Sequence, residues 1–472
     1  MYREAQKICE VVRDAGGRAF LVGGSVRDRL LRIESKDLDL EVYGIEPSRL
    51  RALLEEIAPV NTVGESFAIY KLAFYRSNQS QSGLKSDISN STSQSERFEI
   101  DVSIPRRESK SGRGHRGFTI EGDPLMTIEE AARRRDFTIN AILYDPLTDE
   151  TIDPYGGVED LNRRVLRAVA RDTFTDDSLR VLRAVQFAAR FDMTVDPQTV
   201  ELCRSIDLSD LPHERIWGEI EKLLLLPKQP SIGLDVALDL GVLDKLFPQL
   251  HALTSEQDHT QYGDELSAFA RTKRRLDTAS YLTLDLPKEQ RTAVMLAALC
   301  LDLSKPVRVP LTEDMRRRAL IEYENLKPVV SLFDTFGVYT ISGYDVRAQA
   351  LSIVSERSWP EKFYKERGQT TNGDFRRLSR RVNLDLLYRI SKADAIARNL
   401  ATETQEYFIA KARELGVEHG PPEPILRGRH LIEAGFAPGC RMGEILRQVY
   451  ELQLDDKVTD IEEALNAAQQ LD

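Results

Sequence analysis

The sequence is poor in the residues that staple or anchor a fold. Four cysteines occur in 472 residues, at positions 9, 203, 300 and 440. They lie too far apart for a CxxC zinc pattern or a disulfide framework, and read as buried thiols of a reducing cytoplasm. The six histidines, at 115, 213, 251, 259, 419 and 430, form no spaced metal motif. No run of about 18 uncharged apolar residues occurs, so no transmembrane helix is expected. The opening "MYREAQKICEVVRDAGG" lacks an apolar signal core, so the chain is expected in the cytoplasm and off the membrane. Net positive charge is missing too. With a formal charge of −11, the whole-chain balance gives no nucleic-acid footprint, and such a role falls to local clusters: "RRES" at 106–109, "RRRD" at 133–136 and "RRLSRR" at 376–381.

What is present points to several domains. A chain this long with 41% hydrophobic residues exceeds one ordinary core, and two to four domains are expected. Residues 1–16 read as an amphipathic helix, "RAFLVGG" (18–24) as a strand running into a glycine turn, and "SVRDRLLR" as the helix after it. "KDLDLEVYG" is the next strand, followed by a helix over 47–58 and strands over 67–75 and 98–104. The Ser-, Asn- and Gln-rich stretch 77–97 reads as a solvated hairpin insertion. The first 145 residues are therefore α/β, with a mixed sheet of four or five strands. Beyond residue 150 the pattern is helical, with helices over 176–191 and 213–226 and no convincing strand.

Two stretches carry chemistry. On a strand, residues i and i+2 share a face, so Asp37 and Asp39 project together while Leu38 and Leu40 pack behind. Two bare carboxylates so placed repel each other, and a divalent cation would neutralise them. Asp101, between Ile100 and Val102 in "FEIDVSI", offers a third carboxylate; a solvent-facing amphipathic strand is the alternative. The second stretch is "VGGSVRD". Backbone N–H groups at a helix start, with Gly23 and Gly24 allowing close approach, make an anion site, to which Arg27 adds charge. A plain tight turn is the alternative there, since the spacing matches neither the P-loop nor GxGxxG.

Together, "LVGGSVRDRLL…KDLDLEVYG" resembles the first motif of class II tRNA nucleotidyltransferases (CCA-adding enzymes) and bacterial poly(A) polymerases. "RRRDFTINAILYD" (133–145), "DDSLRVLRAVQFAARF" (176–191) and "ERIWGEIEKLL" (214–224) resemble later motifs of that family, in the family's order. The resemblance implies an α+β fold: a polymerase-β-like nucleotidyltransferase head with a mixed sheet (1–150), then an all-α neck (151–226), body (227–345) and tail (346–472). It implies that Gly23, Gly24 and Arg27 meet the triphosphate and that Asp37 and Asp39 bind Mg²⁺, with Asp101 as third catalytic acid. Arg135, Asp136 and Asn140 would hold phosphate and ribose. Asp136 reads equally as an N-cap for "FTINAIL". Asp177 and Arg180, at i and i+3 on one helix face, would read the Watson–Crick edges of cytosine and adenine, and Arg183 would reach the triphosphate.

The implied activity is addition of CCA, or its terminal A, to tRNA 3′ ends from CTP and ATP. Alternatives of the same fold are a poly(A) polymerase and an A-only or CC-only enzyme; an RNA-binding pseudoenzyme is a remote one. Relatives that add only CC share a shortened loop, whereas Arg106–Ala132, with "RRESKSGRGHRGF", is full length here. That favours complete CCA or A addition, although its basic residues could instead contact RNA phosphates. Departures from the family pattern are Asp176 in place of Glu, Gln186 in place of Arg, and "LCLDLSKP" (299–306), where Leu301 replaces the histidine of an HD phosphohydrolase signature. No phosphohydrolase activity is expected. "RRLSRR" is a candidate tRNA contact or a solvated helix face. The oligomeric state is left open.

Overall fold

A computed structural model describes residues 1–34, 37–63, 69–76, 96–110, 118–255, 266–304 and 315–471. Most of the Ser-rich insertion, 77–95, lies outside them. The chain divides into two compact units, Met1–Leu211 and Pro212–Asp472.

The first unit is built on helices α1 (Tyr2–Asp14), α2 (Gly24–Leu30), α3 (Pro47–Glu55), α4 (Ile128–Arg133), α5 (Gly157–Asn162), α6 (Arg171–Phe174) and α7 (Leu179–Phe191). Its strands are β1 (Arg18–Val22), β2 (Leu38–Tyr43), β3 (Val60–Val63), β4 (Ile69–Arg76), β5 (Glu96–Ser103), β6 (Arg106–Lys110), β7 (Phe118–Gly122), β8 (Leu143–Asp145) and β9 (Glu150–Ile152). Seven strands make one mixed sheet in the order β3-β4-β5-β2-β1-β8-β9, in which β2 and β5 run parallel. Strand alternation sorts the two faces. Leu40, Val42, Ile100 and Val102 join Ile8, Val12, Leu50 and Leu54 in the core on one face. Phe20, Val22, Tyr43 and Leu143 pack with Ala131 and Ala132 on the other. Asp39 and Glu41 stand on this second face, in line with Tyr43.

Three expectations are corrected. The sheet has seven strands rather than four or five, and it runs past residue 150, because the short β8 and β9 pair Leu143 with Ile152 and Asp145 with Glu150. "FTINAIL" is not a helix: one 3-10 turn, Thr138–Asn140, leads into β8. The segment after Arg106 is not loop throughout, since β6 and β7 form an antiparallel hairpin and Thr127 opens α4 with a capping box. Further two-residue strands occur beyond residue 150, at Val165–Leu166 with Thr194–Val195 and at Thr340–Ile341 with Tyr344–Asp345.

The second unit is helical. Helix Lys288–Cys300 is buried at every position from Thr292 to Cys300, as expected of a helix packed on all sides. Helices Ala268–Leu282, Val346–Glu356 and Leu384–Ala397 pack around this centre. Asp302 follows in a 3-10 turn, and its carboxylate accepts from Arg275, Thr272 (3.2 Å) and Arg271 (3.4 Å). Arg275 is completely buried, and its Nε donates to Asp394 at 2.8 Å. The charge opposite Asp302 is therefore a guanidinium.

"RRLSRR" lies on helix Asn372–Ser379 and just beyond it. It is tied down within the protein. Arg376 donates to the carbonyl of Leu454 (2.8 Å), Arg377 to Glu451 (2.9 Å) and Asp455 (2.8 Å), and Arg380 to Glu451 (2.6 Å). Arg381 pairs with Glu356 at 3.8 Å. Arg376, Arg377 and Arg380 fasten helix Cys440–Leu454, which belongs to a small separate core of Leu426, Leu431, Ile445, Val449, Val458, Ala464 and Ala468. Arg376, Arg377 and Arg381 are thus largely buried rather than a solvated face, while Arg380 stays exposed. Arg377→Ala is expected to speed amide exchange in helix 440–454 by about tenfold, roughly the loss of one charge-assisted hydrogen bond; an unchanged rate would show that the small core alone holds the helix.

Candidate active site

The site is built where β1 ends and β2 begins. Gly23 has φ 68° and ψ −132°, a conformation closed to side chains, and a Cβ there would meet Nη1 of Arg135 at 3.1 Å. The glycine therefore serves both the turn and the close approach of Arg135. Gly23→Ala is expected to cost about 1–3 kcal/mol of stability and to displace Arg135, seen together as a lower melting temperature and a lower kcat/KM for nucleotide.

Asp39 lies in β2 and is the register partner of Asp101 in β5; on β4, Lys71 is the register partner of Asp101. One row across three strands thus reads Asp39, Asp101, Lys71. Lys71 Nζ donates to both carboxylate oxygens of Asp101, at 3.0 and 2.9 Å. Asp37 stands just before β2 rather than in it. Asp39 is open to solvent, yet desolvation pushes its carboxyl above the usual range, and Asp101 and Asp37 push it further against Arg135 and Lys71.

Asp37 and Asp39 are hard oxygen donors of the kind a divalent cation takes, and a cation there would offset the repulsion between the carboxylates. Among the described residues no group of three or more His, Cys, Asp or Glu is gathered closely enough to hold a metal. The acids suit Mg²⁺, which commonly binds through one or two carboxylates plus substrate phosphates.

Behind the turn, buried polar groups join three elements. Arg27 is 4% exposed. It donates to Asp28 (2.6 and 2.9 Å) and to Oδ1 of Asn140 (2.8 Å), and lies 4.3 Å over the Phe191 ring. Asn140 Nδ2 donates to Oδ1 of Asp136 at 3.0 Å, and Arg183 Nε donates to Oδ2 of Asp136 at 2.7 Å. Burial pushes the Asp136 carboxyl up, but Arg183, Asn140 and the Phe137 N–H outweigh it and hold it below the usual range. Asp136 accepts the Phe137 N–H at 2.8 Å, so it braces the 3-10 turn. Gly24 lies beside Arg27, whose Nη2 would be 3.4 Å from a Cβ on it. Gln186, at the position where an arginine was expected, is buried on α7, and its Nε2 has no hydrogen-bond partner.

Asp177 stands ahead of α7 rather than on it, and its Oδ1 accepts the Leu179 N–H at 3.1 Å. Arg180 donates to the carbonyls of Thr173 (2.6 Å) and Arg134 (2.5 Å). The pair is close in sequence, but does not form the shared helix face that i,i+3 spacing suggested.

Three residues were missed in the sequence: Lys71, Arg134 and Glu41. Glu41 is 1% exposed. It accepts from Arg134 (2.8 Å), Arg135 (3.5 Å) and the Tyr43 hydroxyl (2.8 Å). The available signal was a strict alternation, Asp37, Asp39, Glu41, along one strand face.

A parallel β2–β5 pair carrying facing aspartates beside a strand–Gly–helix turn defines the chain as a nucleotidyltransferase with a polymerase-type head. Comparison with known proteins agrees. Residues 19–167 match the poly A polymerase head domain, and residues 192–254 match the probable RNA and SrmB-binding site of polymerase A. The multifunctional CCA protein of Stenotrophomonas maltophilia (strain R551-3) is 35% identical over 322 residues, 67% of this chain and 70% of that one. That of Mannheimia succiniciproducens is 36% identical over 295 residues, 61% of this chain and 63% of that one. In fold, the chain is similar to the Bacillus stearothermophilus CCA-adding enzyme solved with CTP (TM-score 0.62, 20% identity, 99% of this chain and 97% of that one). It is also similar to the Thermotoga maritima CCA-adding enzyme solved with tRNA (TM-score 0.58, 19% identity, 98% and 94%). The chain belongs to the family of multifunctional CCA proteins, the CCA-adding nucleotidyltransferases. Among the described residues no helix is long and apolar enough to cross a membrane.

Proposed function

We propose that the protein adds CCA, or its terminal A, to the 3′ end of tRNA from CTP and ATP, with Mg²⁺ and without a nucleic-acid template. The observation that carries this is the facing pair Asp39–Asp101 beside the Gly23 turn. Similarity to relatives named for CCA addition, and to structures solved with CTP, ATP and tRNA, supports the substrates.

Mg²⁺ would be held by Asp37 and Asp39, with Asp101 as third acid, and when bound it supplies charge neutralisation at the phosphates and a lower pKa for the attacking hydroxyl. The chain's own groups do the rest. Gly23 and Gly24 leave room for the triphosphate against the start of α2. Arg135 and Arg183 bring positive charge to it. Asp136 and Asn140 fix those arginines and the ribose side of the pocket. Asp177 and Arg180 meet the base edge, where an acceptor-only and a donor-only group suit cytosine and adenine and leave uracil and guanine with unpaired contacts. The 3′ hydroxyl gives up its proton to solvent, its oxygen bonds the α-phosphorus, the bond from the α-phosphorus to the bridging oxygen breaks, and pyrophosphate leaves. In domain terms the head is 1–150, its sheet running on to Ile152, the base-reading neck 151–226, the body 227–345 and the tail 346–472, which would grip tRNA.

The test supplies each of the four labelled nucleotides singly to a tRNA ending in CC, with Mg²⁺ or with EDTA. Incorporation of ATP alone, abolished by EDTA, is the expected result. Incorporation of all four, or of none, contradicts the proposal.

A further inference from the structure

Glu41 is the one buried carboxylate on the acidic face of β2, and nothing in the transfer reaction uses it. Its neighbours make it informative. Two positions earlier on the same face stands Asp39. Its Oε2 accepts from Arg135, the side chain that lies over Gly23; its Oε1 accepts from Arg134, whose own carbonyl accepts from Arg180 at 2.5 Å. Tyr43, next on that face, donates its hydroxyl to Oε2 at 2.8 Å. One side chain thus touches the supports of the metal-side acids, the phosphate turn and the base reader. Its two carboxylate oxygens thus accept from three donors, Arg134, Arg135 and Tyr43.

We infer that Glu41 is a positioning residue that registers Arg180 against the acidic strand, and so sets nucleotide selectivity without touching the nucleotide. The reason is geometric. Arg180 is held by backbone carbonyls, those of Thr173 and Arg134. The Thr173 carbonyl sits in α6, whereas that of Arg134 sits where the chain is pinned by its own side chain to β2. Freeing the Arg134 side chain frees that carbonyl, and Arg180 loses its reference to Asp39. A misplacement of about 1 Å at such a site costs on the order of 10²-fold.

The inference rests on the proposed base-reading role of Arg180, and the experiment separates the two. Glu41→Gln keeps the size and one acceptor but removes the charge; Arg134→Lys and Tyr43→Phe each weaken one arm and serve if Glu41→Gln does not fold. For each, kcat/KM is measured for ATP and for UTP on a CC-ended tRNA, alongside the melting temperature. The expected result is an ATP/UTP ratio reduced about 10²-fold in Glu41→Gln, less in the other two, with kcat for ATP falling more than KM rises. Restoration of the ratio by Glu41→Asp would add support. An unchanged ratio in folded variants, even with lowered melting temperatures, overturns the positioning role and leaves a purely structural carboxylate. Equal use of ATP and UTP by the unmodified enzyme overturns the base-reading proposal, and this inference with it.

Discussion

Asp39→Asn is expected to lower kcat by about 10³-fold, the equivalent of the several kcal/mol of charge stabilisation a bound metal supplies, while leaving tRNA affinity intact. The same substitution is expected to make the protein slightly more stable. Asp39 faces Asp101 across the β2–β5 register, and desolvation together with Asp101 and Asp37 raises its carboxyl above the usual range. A raised carboxyl favours folding in its protonated form. That contribution is present below the unfolded pKa and is lost as pH rises through the folded pKa, so the gain of the Asn variant should appear at neutral pH and vanish in acid. Single-turnover incorporation and thermal melts at two pH values measure both halves. Loss of activity with loss of stability would mean that Asp39 is a structural residue. Gain of stability with loss of activity is the signature of a group held at a cost for function.

The second large effect is expected far from the chemistry. Arg275 is fully buried between Asp302 and Asp394. Arg275→Met leaves those carboxylates short of their principal counter-charge and should cost about 3–5 kcal/mol, a fall of roughly 10 °C in melting temperature. Burial raises the Asp302 carboxyl, but Arg275 and then Arg271 and Thr272 bring it below the usual range. Its contribution therefore exists above the unfolded pKa and is lost as pH falls through the folded one, so the difference between wild type and variant should shrink in strong acid. Calorimetry of the full chain measures this. A change under 1 kcal/mol would show that the remaining donors, Arg271 and Thr272, suffice.

Local pattern showed the framework of the site. Alternation in "KDLDLEVYG" placed Asp39 opposite Leu40, and a glycine pair between a strand and a helix marked the turn now seen at Gly23. The helix read over 176–191 was legible from its apolar spacing, though it begins only at Leu179. Contacts between residues distant in sequence were not. Glu41 passed as one polar residue in an apolar run, because nothing local shows that Arg134 and Arg135 reach it from more than 90 positions away. The cluster at 376–381 reads as an RNA contact or a solvated face, and nothing local shows that Glu451 and Asp455 stand beside it. β8 and β9 are three residues each, too short for an alternation pattern to register, and Asp177 left the helix because its carboxylate satisfies the Leu179 N–H at the helix start.

The most direct test of the central claim is the sequence of the product made on tRNA ending at the discriminator base, after C, and after CC, with CTP and ATP together. All three are expected to finish as CCA and stop there, or, for an enzyme adding only the terminal A, the CC-ended tRNA alone gains one A. Long A tails, or tails on unrelated RNA, would contradict that claim.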